Sequence, residues 1–125
     1  MKTQDVSNAL FVRVLGYRED GEWVALALEM DVRGYGDTFE AALQELRELV
    51  DTQVAFALHK GQPEMIWRNA EAEYFDRFEA AWHDALAALV SGHNPHQDES
   101  AVTALPIPPA HVIDNLKSTF SRTSA

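Results

Sequence analysis

From Phe39 to Leu58 apolar side chains recur at steps of three and four: Phe39, Ala42, Leu43, Leu46, Val50, Val54, Ala57 and Leu58. That spacing is one face of an α-helix, and a helix with a single apolar face must lay it against something. Its ends are marked too. Asp37 and Thr38 supply a helix start, and Asp37 with Glu40 three residues later has the form of a capping box. The carboxylates of Asp37 and Glu40 also suit the positive end of the helix dipole. Gly61 is placed as a C-terminal stop, with Pro63 just beyond it. One long helix is predicted, and the chain before it has to provide the bed.

That bed reads as a small antiparallel meander. Leu10–Tyr17 predicts a first strand, with Leu10, Val12 and Val14 on one face and Phe11, Arg13, Leu15 and Tyr17 on the other. Arg18 to Gly21 is a hairpin connection, with Asp20-Gly21 as its turn signal. Trp23–Leu28 predicts a second strand, apolar on both faces, as a central strand under a helix would be. A shorter third strand, about Val32–Tyr35, ends at the helix start. Gly34 and Gly36 bracket Tyr35 and admit backbone angles that other residues resist.

A second helical pattern is predicted from Asn69, read as its N-cap, to about residue 91. Its stripe is Glu71, Phe75, Phe78, Trp82, Ala85, Leu86 and Leu89, with Trp67 before it and Tyr74 beside it; Gly92 and Pro95 end it. Residues 93–100 form a polar connector. Val102–Ile107 predicts an edge strand, confined by Pro106, Pro108 and Pro109. A short last helix is expected from Pro109 to Phe120, with Val112, Ile113, Leu116 and Phe120 on one face. The first eight and last five residues are expected to be loose ends. Residues 1–92 therefore make the main domain, and residues 93–125 a connector, edge strand and short helix.

Charge narrows the function. The chain has 125 residues and a formal net charge of −10. Residues 1–61 hold six basic and eleven acidic side chains and residues 62–92 two and six, so the acid surplus sits on the folded body. Such a surface repels phosphate backbones, and no cluster of Lys and Arg offsets it. It favours encounter with a basic protein. Cysteine is absent, which excludes disulfides and thiolate chemistry. No apolar run approaches the roughly 20 residues that cross a bilayer, and residues 1–8 lack the apolar core of a signal peptide. A cytoplasmic setting is expected, with no membrane contact.

Glu29, Asp31, Asp37 and Asp51 are the carboxylates from which a small metal-dependent nuclease would be built, if they converged on Mg²⁺. Glu29 and Asp31 flank a turn, however, and Asp37 already serves the helix start. His93 and His96 lack a third zinc ligand nearby, and His59, His83 and His111 are scattered. No nucleophile elbow, phosphate loop or dinucleotide fingerprint is present. Gly34-Tyr35-Gly36 before a helix is not an anion loop, since Asp37 and Glu40 would repel a phosphate. No catalytic residue, metal site or cofactor is expected. The aromatic stripe Trp67, Phe75, Phe78 and Trp82 is left as the candidate interface, its alternative being core packing.

Gly21-Glu-Trp-Val-Ala-Leu-Ala-Leu-Glu-Met-Asp-Val32, followed by Gly34-Tyr-Gly-Asp-Thr-Phe-Glu-Ala-Ala-Leu43, resembles the HicB-like antitoxin family over residues 9–61. The family has a hairpin of the form Asp-Gly-x-aromatic-Val-Ala and then a Gly-Asp-Thr helix start. The resemblance implies a partial, inactive ribonuclease-H-like fold, βββα with a further strand, that binds and blocks a small basic mRNA-cleaving toxin. This chain departs from the pattern at Leu28–Val32, where Leu-Glu-Met-Asp-Val replaces a Pro-x-x-Pro-Gly element. Its C-terminal region, with only Lys117 and Arg122 as cations, is unlike a segment that binds operator DNA.

The expectation is therefore an α+β domain: an antiparallel sheet of three to four strands with two long helices, and a non-enzymatic protein-binding role of the antitoxin kind. The alternatives are the nuclease and an orphan domain that binds only itself. One small sheet is too little cover for both helices and the aromatic stripe, so a homodimer or higher even-numbered oligomer is expected, with the second helix or a sheet edge at its centre.

Overall fold

A computed structural model describes residues 10–92 and 100–107 of the chain. Strand β1 (Phe11–Glu19) turns into β2 (Glu22–Ala27) through Asp20 and Gly21, both at positive φ (55° and 80°). Two central residues in that region make the tight turn whose twist matches a hairpin, and Asp-Gly is the pair that tolerates it. Four residues, Leu28 to Asp31, link β2 to β3 (Val32–Gly36), and β3 runs directly into helix α1 (Phe39–His59). A short 3-10 turn (Pro63–Ile66), helix α2 (Ala72–Ser91) and strand β4 (Ser100–Pro106) complete the described chain.

The fold is α+β. Its four strands form one antiparallel sheet in the order β3-β2-β1-β4, with β4 at the edge beside β1 as the prolines suggest. The expected C-terminal helix and the polar connector lie outside the described residues.

The sheet has two very different faces. Toward α1 it presents Val12, Val14, Ala25, Ala27 and Leu105, which pack with Ala42, Leu46, Val50, Val54 and Ala57 of the helix. Toward α2 it presents Leu15, Tyr17, Val24, Leu26 and Leu28, which pack with Ala70 and Phe78. Alternation along each strand sends successive residues to opposite faces, so β2, apolar at every position from Val24 to Ala27, is covered on both sides. This removes the crowding that suggested a dimer, because the two helices do not compete for one face.

Small residues decide how close α1 comes. A Cβ built on Gly34 would lie 2.9 Å from Leu46 Cα and closer still to the Ala42 carbonyl and the Leu46 nitrogen. Gly36 likewise faces Ala41 and Ala42, with 2.7 Å left for a Cβ. Neither glycine has a positive φ. The unusual backbone angles expected at Gly34 and Gly36 are therefore not their role; they leave room for a helix backbone against the strand.

The helix start also needs correcting. The cap of α1 is Thr38, whose Oγ1 accepts from the Ala41 N–H at 3.1 Å, and Asp37 stands one residue outside it. Glu40 is then the second helical residue, one short of the capping-box position, and acts only through its charge in the first turn. Thr38→Ala is expected to lower unfolding stability by about 1 kcal/mol, and Asp37→Ala by about 0.3 kcal/mol. Urea denaturation of the two variants checks this; the reverse ranking would restore Asp37 as the cap.

Helix α2 begins later than expected. Its cap position is Glu71, and Asn69 lies in the irregular stretch before it. There the Arg68 N–H donates to the Glu29 carbonyl (2.9 Å) and the Ala70 N–H to the Leu28 carbonyl (2.8 Å). These bonds tie residues 68–70 to the β2–β3 connection. Ile66 is buried with the α1 layer and Ala70 with the α2 layer, so this is where the chain crosses from one face of the sheet to the other.

Candidate interaction surface

Two of the four candidate nuclease carboxylates are engaged by arginines. Glu29 accepts from Arg13 twice, from its Nε at 2.7 Å and its backbone N–H at 2.8 Å. Asp31 pairs with Arg33 at 3.0 Å and lies 4.0 Å from Arg68. Asp37 is exposed before α1 and Asp51 is on the helix itself. Among the described residues no three His, Asp or Glu side chains are placed to share a metal ion. The arrangement that two-metal chemistry requires is not assembled from these four. Of the histidines, His59 and His83 are exposed on the helices, His83 lying 3.6 Å from Glu79 one turn before it. His93, His96 and His111 lie outside the described residues.

Asp51 has a different environment. Its partial burial raises its pKa, against the opposing influence of Arg47. A carboxyl with a higher pKa folded than unfolded destabilises the fold once pH exceeds the folded value, and costs nothing below the unfolded one. Asp51→Asn is thus expected to gain about 0.5 kcal/mol near neutral pH, a gain that vanishes below about pH 3, where the carboxyl is protonated in both states. Denaturation curves at the two pH values read this. An equal gain at both would remove the charge as its cause.

One long-range cluster gave no sequence signal. Tyr17 and Tyr74 stack at 5.7 Å, the Arg77 guanidinium sits 4.6 Å over Tyr17, and Arg33 sits 5.4 Å over Tyr74. Arg33 Nε also donates to the Tyr17 hydroxyl at 3.4 Å. Burial pushes the Tyr17 pKa up, and the nearby Arg33 only partly offsets it. Burial works against the charge of Arg33, but its bonds with Tyr17, Tyr74 and Asp31 outweigh that and hold it firmly protonated. The cluster fastens the first turns of α2 to β1 and β3, a structural task.

The aromatic stripe divides at Phe78. Phe78 is buried and Tyr74 and Phe75 are half-buried, so this part is core. Trp67 and Trp82 are 48% and 45% exposed, and Leu86, Leu89 and Val90 follow Trp82 at 40%, 79% and 87%. The second half of α2 therefore carries an apolar strip into solvent. Beside it, between α2 and β4, runs a groove of about 560 Å³ lined by Arg13, Phe78, Glu79, Trp82 and residues 102–104. A second concavity of about 340 Å³ wraps the start of β4, where Glu40, Ala81, Asp84 and Ser100 meet. Glu79 thus borders the first hollow, and Glu40 and Asp84 the second. The sequence indicated an edge strand at Val102–Ile107 but not its neighbour, and which edge stays open depends on its pairing with β1.

No protein-family model matches the chain, and no curated protein or solved structure matches it. Among the described residues no helix is long and apolar enough to cross a membrane.

Proposed function

We propose that this protein is a non-enzymatic, cytoplasmic protein-binding domain of the HicB-like antitoxin kind, which binds and neutralises a small basic mRNA-cleaving toxin. The observation that carries the reading is the exposed strip Trp82, Leu86, Leu89 and Val90, with Glu79 beside Trp82. An apolar strip with a carboxylate at its side, on a chain of net charge −10, suits a partner that is apolar at its centre and basic at its rim. The element order supports it further: βββα with a further strand is what the resemblance implies, here with α2 inserted before that strand. The partial ribonuclease-H-like fold is part of the proposal.

The test begins with the neighbouring reading frame, which should encode a basic protein of about 60–90 residues, the size of one small domain. Expressed alone that protein should arrest growth, and co-expression with this chain should relieve the arrest and yield one complex on size exclusion. A neighbour with no effect on growth and no complex overturns the reading.

The strip also favours a second reading, self-association as a homodimer or higher even-numbered oligomer, because four adjacent large apolar residues are exposed on one helix. Light scattering at micromolar concentration decides it, and the monomer mass sinks it.

A further inference from the structure

We infer that the outer edge of β4 is a docking strand: an extended, basic segment of the partner protein adds to the sheet there as a fifth strand. The inference rests on the protein-binding reading above and specifies how that partner is held.

The backbone phase comes first. The Leu28 N–H donates to the Arg13 carbonyl (2.8 Å), and the Ile107 N–H donates to the Leu10 carbonyl (2.7 Å). Odd-numbered residues of β1 therefore bond to β2 and even-numbered ones to β4. By the register Val12↔Leu105, Val14↔Thr103 and Gly16↔Ala101, those three residues of β4 bond inward. Ser100, Val102 and Ala104 then turn their N–H and carbonyl groups away from the sheet. Among the described residues nothing bonds to the outward amides of Val102 and Ala104. Pro106 shares the outward phase but has no N–H, so it ends the open ladder on that side.

The opposite edge is managed differently. On β3 the same phase argument turns Arg33 and Tyr35 outward, and the Tyr35 N–H donates to the Glu45 carboxylate. A side chain thus occupies the donor on that edge, and a charge, Arg33, stands beside it. Strand β4, Ser-Ala-Val-Thr-Ala-Leu-Pro, has no charge along its length. Open edges are normally blunted by charges, bulges or prolines, and β4 has only the terminal proline.

The flanking hollows say what kind of strand fits. An added strand projects alternate side chains to the two sides of the sheet. On the α2 side they would enter the groove of about 560 Å³, against Phe78 and Trp82 and next to Glu79. At the start of β4 they would meet Glu40 and Asp84. The one cation lining either hollow is Arg13, which Glu29 already engages at 2.7 Å. Cationic side chains are therefore favoured. A second copy is not, since a two-fold axis at β4 would bring Glu79 and Asp84 toward their own counterparts on a chain of net charge −10.

The experiment uses the full chain and synthetic peptides of about eight residues, a typical strand length, alternating Lys with Val or Phe, with Glu-for-Lys versions as controls. The Lys peptides should bind and slow exchange of the Val102 and Ala104 amides, and the Glu versions should do neither. Ala104→Pro removes one outward donor at an exposed position, in the phase where Pro106 is already accepted, and should weaken binding about tenfold, as loss of one good hydrogen bond does. Binding by none of the peptides, or equal binding by Ala104→Pro, overturns the inference. So does strong protection of the Val102 and Ala104 amides in the free chain, which would mean that the chain or a second copy already covers the edge. If the basic neighbour still binds Ala104→Pro at full strength but loses Trp82→Ala, the edge is wrong and the protein-binding reading stands. If the neighbour binds neither variant nor the unmutated chain, both fall.

Discussion

Gly34→Ala is expected to lower unfolding stability by about 3 kcal/mol, at the upper end of what overpacking costs. The new methyl would not meet a side chain that can turn aside. It would meet the backbone of α1 itself, 2.9 Å from Leu46 Cα with the Ala42 carbonyl and Leu46 nitrogen nearer. The only relief is to lift α1 off β3, and that loosens Ala42, Leu46 and Val50 from Ala25 and Ala27 throughout the first core. Gly16→Ala makes the informative comparison. There the clash is with the ring edge of Phe39, which is half-buried and free to shift, so about 1 kcal/mol is expected. A domain this size holds about 5–15 kcal/mol in all, so Gly34→Ala should remain folded at low temperature with a clearly lower urea midpoint. Equal midpoints for the two variants would mean that α1 does not approach the sheet as closely as described.

That glycine also marks what was legible in the sequence. Its presence was plain, but its purpose was not, because a helix packed on the strand is a contact across the fold and leaves no local pattern. Local chemistry read well. The Asp20-Gly21 turn, the apolar period of α1, and Gly61 and Gly92 at the helix ends all depend on neighbours within a few residues. The one-residue error at Asp37 and Thr38 arose because both residues can cap a helix, and only the bond to Ala41 separates them. Asn69 misled for the opposite reason. It is a good cap by type, but two hydrogen bonds to residues 28 and 29 tie that stretch to the β2–β3 connection. Glu29, Asp31 and Asp37 are close in sequence, yet Arg13, Arg33 and Arg68 claim Glu29 and Asp31 from three separate segments. Nor does periodicity reveal how far a helix overhangs its sheet. Phe78 and Trp82 lie one turn apart in the same stripe, one buried and one nearly half exposed.

Phe78→Ala and Trp82→Ala should therefore give opposite results in two assays. Phe78 is one of only two buried residues among those described in α2, the other being Ala88. Its ring covers the second core formed by Leu15, Val24, Leu26 and Leu28. Truncating it leaves a cavity there, at a cost of about 3 kcal/mol or more, and with so few anchors the helix is expected to undock, raising the binding of a hydrophobic dye. Trp82 stacks on Phe78 at 6.5 Å but keeps 45% of its surface in solvent, so its removal should cost less than about 1 kcal/mol. In the partner assay the order reverses. An exposed tryptophan over an apolar groove is the type of residue that anchors an interface, and its truncation should weaken the complex by about 2 kcal/mol. If Trp82→Ala instead destabilises the free protein as much as Phe78→Ala, the exposed half of α2 is core covered by another part of this chain. The acidic, apolar surface from which a basic partner was inferred would then not be open to one.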